Sequence, residues 1–180
     1  MQSTNIEETK DIIIEFAKVN SLLMKLNKTI RYHLSDKSIL LDKEDAEINK
    51  EFELHGETTE IKQYAYLRRV ISTLHDKIFE ALGSMSCEDR KTILEFLENK
   101  SKNYEAEYED LDLQTKIYYE AISSKELPEA HKIRVLSISE ISKISSRKEE
   151  VQGYLISYYS LTHYIEALNI SSRIKKVKKN

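Results

Sequence analysis

Three glycines, at positions 56, 83 and 153, and one proline, Pro128, are the only strong backbone punctuation in 180 residues. Gly supplies positive φ and Pro a fixed φ, and tight turns depend on both. A β-sandwich or barrel needs a turn signal roughly every 8–12 residues. This chain cannot provide them. Lys, Glu, Ile, Leu and Ser dominate, and apolar residues make up 40% and charged residues 33%, which suits long amphipathic helices. The expected fold is all-α, an antiparallel bundle of four or five long helices with coiled-coil-like seams. Residues 1–172 would form the bundle domain and residues 173–180 a basic tail.

Apolar spacing assigns the helices. Ile12, Phe16, Val19, Leu23, Leu26 and Ile30 follow a 4-3 pattern, one stripe along one helix face. Ile13, Leu22 and Met24 widen it, so this first helix should be buried on more than one side. A short helix over roughly 43–54, closed by Gly56, would follow. The second long helix, 57–82, carries Tyr64, Leu67, Ile71, Leu74, Ile78 and Leu82, with Gly83 as its stop. Ser86 and Asp89 then resemble a capping box, opening a third helix over 87–123. Its stripe is Ile93, Leu97, Ser101, Tyr104, Tyr108, Leu111, Thr115, Tyr118 and Ile122. These two helices should form an antiparallel hairpin. Pro128 suits the first turn of a fourth helix. Ser146 with Glu149 reads as another capping box: either one helix runs from 128 to about 175, or, the favoured reading, it breaks or kinks near Ser145–Ser146 before Val151, Leu155, Tyr158, Ile165 and Leu168 resume a stripe.

A net charge of −3 gives no global field favouring nucleic acid or anionic membrane. The single Cys87 excludes an intramolecular disulfide and fits a reducing compartment, where a lone thiol is usually a small buried or half-buried side chain. The N-terminus lacks a signal-peptide pattern and no apolar run is long enough to span a bilayer, so cytoplasmic residence is expected. Five histidines (His33, His55, His75, His131, His163) invite a metal reading. None has Glu three residues before it and no two are spaced i, i+4, so no metal site is expected. With so few glycines, no phosphate-cradling loop can be built and no cofactor is expected. Glu88 and Asp89 beside Cys87 oppose the helix dipole and argue against an activated thiolate.

Arg69 stands six residues before His75 on the second helix. That spacing resembles the Arg-to-His pair of HEPN-type ribonucleases, which are also helical bundles. The resemblance covers seven residues and departs at Val70, where many members are polar. It implies Arg69 positioning phosphate and His75 assisting attack by a ribose 2′-hydroxyl. Six residues on a 3.6-residue period also leave the side chains roughly 120° apart, which favours two unrelated surface groups.

Two features remain. No acidic residue follows Glu166, while Arg173, Lys175, Lys176, Lys178 and Lys179 crowd the last eight positions. They form a solvated tail, or an anion-binding one facing phosphates or, less favoured, a membrane surface. There are also eleven Tyr against four Phe and no Trp. Tyr buries a large area while keeping a polar tip, a property favoured at interfaces. The expected function is therefore a non-enzymatic adaptor or regulatory bundle. It would bind a partner protein or another copy of itself through Tyr154, Tyr158, Tyr159, Tyr164, Tyr118 and Tyr119. The alternative is a nucleic-acid-binding or RNA-cleaving bundle using Arg68, Arg69, His75 and the basic tail.

Overall fold

The computed structural model describes residues 6–33, 59–123 and 138–177. They form four helices, α1 (Ile6–His33), α2 (Thr59–Ser84), α3 (Cys87–Ser123) and α4 (Ile138–Val177), with no strand among the described residues. The expected short helix over 43–54 and the helix start at Pro128 lie outside the described residues. None of the described helices is long and apolar enough to cross a membrane.

The periodic stripes became the core. Tyr64, Ile78 and Leu82 of α2, and Ile93, Leu97, Leu111 and Tyr118 of α3, are buried. Ile13, Phe16 and Ala17 of α1 join Ile78, Leu82, Ile93, Leu97, Tyr158, Leu161 and Ile165 in one apolar cluster shared by all four helices. Each fully buried Ile or Leu stabilises the fold by roughly 1.5–3 kcal/mol.

Packing order differs from chain order. α1 lies along α2 on one side and α4 on the other, and α4 lies along α3. The expected α2–α3 hairpin does not pack along its length: the two helices meet at their turn and then diverge. Partner pairs such as Asn20–Ser157 and Lys28–Glu149 show α1 and α4 running antiparallel, and Arg90–Asn169 and Glu107–Arg147 show the same for α3 and α4. All four helices converge near the α2–α3 turn. Among the described residues, towards the opposite end α2 leans on α1 and α3 on α4.

That turn is built as the sequence suggests at one position only. Asp89 N–H donates to Ser86 Oγ at 3.1 Å while Ser86 N–H donates to Asp89 Oδ2 at 3.3 Å, a reciprocal cap. Gly83 is not the stop. The helix runs on to Ser84, and Met85 N–H still donates to the Ala81 carbonyl. The C-terminal carbonyls are closed instead by Arg90, whose Nη1 donates to Leu82 O at 3.2 Å and Met85 O at 3.1 Å.

The expected break near Ser145–Ser146 is absent, because α4 is one 40-residue helix. At ~1.5 Å per residue it is ~60 Å long, matched by the 37 residues of α3. Ser146 and Glu149 do not cap. They receive Lys25 and Lys28 of α1. Of the expected α1 stripe, Phe16 and Val19 are buried and Ile12, Leu23 and Leu26 half-buried, and a second line beside it, Thr9, Ile13, Ala17 and Ser21, is also buried. Close approach of α4 explains it. A Cβ on Gly153 would lie 2.6 Å from Ser21 Cα, so only small residues fit there.

Candidate functional site

The α3–α4 side carries a polar ladder. Arg147 grips Glu107 with two bonds, Nε to Oε1 at 2.7 Å and Nη2 to Oε2 at 3.2 Å, and reaches Glu150 at 3.0 Å. Glu150 accepts from Tyr154 Oη at 2.5 Å. One turn along, Lys148 and Lys116 both hold Asp112. The Lys116 bond first, then Lys148, lowers the Asp112 carboxyl to about 2. Glu150 is also lowered: burial works against its charge, and the bonds from Tyr154 and Arg147 outweigh it. Exposed pairs of this kind contribute little stability, but a two-pronged Arg–carboxylate contact fixes relative position. The ladder sets how α3 and α4 slide against each other.

The six tyrosines chosen from sequence do not share a surface. Tyr154 and Tyr158 are 8% and 2% exposed, and Tyr118 is also buried. Tyr104 lies between the two helices with its ring centroid 4.9 Å from Tyr154 and 5.9 Å from Tyr158. Burial, then the nearby Tyr104, pushes the Tyr158 hydroxyl up to about 12. Burial, then the Glu150 bond, holds Tyr154 above the ordinary tyrosine range. Neither phenol is an acid or base at neutral pH. Tyr164 is half-buried and stacks on Phe79 of α2 at 3.8 Å. Only Tyr159 and Tyr119 are exposed, on different helices.

Arg69 and His75 are not brought into one groove. Arg69 is exposed, while the His75 ring sits 3.8 Å from that of Phe79, towards the Tyr164 stack. Cys87 is exposed rather than buried, with Arg90 Nη2 3.5 Å from its sulfur. Arg173, Lys175 and Lys176 stand on the last turns of α4, and Lys178 and Lys179 lie outside the described residues. Among the described residues no three His, Cys, Asp or Glu side chains converge as metal ligands would. A groove of about 470 Å³ opens between α1 and α2, lined by Leu22, Lys25, Leu26, Gln63, Tyr66 and Leu67.

The feature missed from sequence lies on α4. Between Val151 and Ser172 the only Asp, Glu, Lys or Arg is Glu166, against about seven at the chain's average of 33% charged. Part of that segment is core, but its other face is open. Gln152, Ile156, Tyr159, Ser160, His163, Ala167 and Ile170 are all exposed. At 100° per residue they fall within about 60° of His163 around the axis, opposite the buried Tyr158, Leu161 and Ile165. Ile156 is 41% and Ile170 58% exposed. A sliding count of charged residues would have found the segment, but only the packing tells which half of it faces outward.

No known protein family, curated protein or solved structure matches this chain.

Proposed function

We propose that this protein is a non-enzymatic interaction bundle whose binding face is the outer side of α4. One observation carries the reading: an exposed helix face from Gln152 to Ile170 that carries a single formal charge, Glu166, in a chain one-third charged. Solvated helix faces hold charge, whereas interface centres are depleted in it and enriched in aromatic and aliphatic side chains. Tyr159 and the two isoleucines supply that apolar area. Of the tyrosines chosen from sequence, Tyr159 is retained as a contact residue. Tyr154, Tyr158 and Tyr118 act from inside, by holding the helices that present the face. The ribonuclease-like alternative receives less support, because Arg69 and His75 diverge on α2.

Site-specific photo-crosslinking tests the reading. With the crosslinking residue at Ile156 or His163, a discrete protein adduct is expected in the native cell, lost when Ile170→Asp is added. The same residue at Glu80, exposed on the far side of α2 from its buried Ile78, is expected to give none. Equal adducts from all three positions would overturn the assignment.

A further inference from the structure

We propose that the occupant of the α4 face is a second copy of this chain, the two α4 helices packing antiparallel about a two-fold axis at His163. This rests on the reading of that face as an interface and adds its partner.

The stripe is close to self-complementary. Reversing it about His163 puts Ile156 of one copy opposite Ile170 of the other, the two equivalent pairs lying ~21 Å apart along the helix, and sets the large Tyr159 against the small Ala167. The centre line is flanked by Ser160 on one side and by Glu166 on the other, with Thr162 and Asn169 beyond; the Glu166 carboxylate stands 3.2 Å from His163 Nδ1 of its own chain, and the pairing sets the two Glu166 side chains six residues, ~9 Å, apart along the axis. A two-fold contact requires that each element meet its complement when reversed.

Charge supplies the direction. At the N-terminal end of the stripe, Glu107 and Asp112 are taken up by Arg147 and Lys148, and Glu149 by Lys28. Glu105 and Glu109 stand exposed one turn apart on α3, and Tyr159 Oη bonds Glu105, which places that carboxylate at the rim of the stripe. The C-terminal end has the opposite sign. No acidic residue follows Glu166, and Arg173, Lys175 and Lys176 continue the helix. Antiparallel pairing lays the basic end of each copy beside the acidic rim of the other. Parallel pairing would set like ends together. One helix stripe is smaller than the ~800 Å² per partner of a standard interface, so the dimer is weak, with a dissociation constant on the order of 10–100 µM.

Sedimentation equilibrium on the purified full chain from about 5 to about 200 µM tests this. A monomer–dimer equilibrium is expected, weakening severalfold as salt rises to about 0.5 M. The double variant Ile156→Asp, Ile170→Asp should raise the dissociation constant at least tenfold with an unchanged circular-dichroism melt. Should it fail to fold, charge reversal decides. Glu105→Lys with Glu109→Lys weakens the dimer, as does Arg173→Glu, and all three together restore it. A wild-type monomer throughout the range, or a dimer indifferent to both sets, overturns self-pairing. A wild-type monomer that still gives the position-dependent adduct overturns self-pairing alone, whereas equal adducts from all crosslinking positions overturn the interface itself.

Discussion

Among the described residues, Ser101 Oγ is the one buried side-chain polar atom without a hydrogen-bond partner. It occupies the α3 stripe between Leu97 and Tyr104, where a hydroxyl loses water and gains nothing. Other buried polar groups in the bundle are satisfied: Asn20 Nδ2 donates to Ser157 Oγ at 2.8 Å, which in turn donates to the Gly153 carbonyl at 2.9 Å. An unsatisfied buried group costs about 1–3 kcal/mol, and Ala is a better helix former than Ser. Ser101→Ala is therefore expected to stabilise the protein by about 1 kcal/mol, read as a higher urea midpoint at unchanged slope. A lower midpoint would mean that the hydroxyl has a partner. At this scale the sequence identifies residue type but not surroundings. Position 101 is visibly on the buried stripe, yet whether an acceptor comes within reach depends on α4, some fifty residues later in the chain.

Helix elements show the same division. Ser86–Asp89 and Ser146–Glu149 are the same motif in sequence, and only the first caps a helix. At Ser86 the chain is already turning, so the free N–H groups need acceptors. At Ser146 the backbone is satisfied within α4, and the side chains are available to lysines of α1. Gly153 is the complementary case. A mid-helix Gly costs ~1 kcal/mol relative to Ala, and α4 keeps one because α1 passes against it. The nearest atom to an added Cβ is the backbone Cα of Ser21 at 2.6 Å, which cannot rotate away. Gly153→Ala is expected to destabilise by about 1–2 kcal/mol, the overpacking strain exceeding the gain in helix propensity. A stabilised Gly153→Ala protein in thermal melts would show that the helices do not approach so closely.

For the whole molecule, the four-helix convergence near the α2–α3 turn and the divergence at the opposite end predict unequal responses to acid. The convergent end is held mainly by apolar contacts, with Arg90 bonded to main-chain carbonyls. The α3–α4 ladder beyond it depends on ionised Glu107, Asp112 and Glu150. Asp112 is lowered from 3.8 to about 2, so its stabilising effect is fully present above pH 4 and is lost as pH falls towards 2. Hydrogen exchange in acid is expected to rise across residues 105–116 before it rises at Ile93–Leu97, and Asp112→Asn should flatten that dependence. Simultaneous loss in both regions would contradict it. Residue pattern alone is enough to make the described segments helical, to point the inward residues of α2 and α3, and to place the α2–α3 turn. Helical period and turn chemistry are local, acting within a few residues. Packing between helices is what puts α1 between α2 and α4, keeps α4 unbroken, and makes Tyr154 and Tyr158 core while Ile156, Tyr159 and Ile170 are surface. Those outcomes depend on which helix faces which, and that is set by contacts between residues 40 to 137 positions apart.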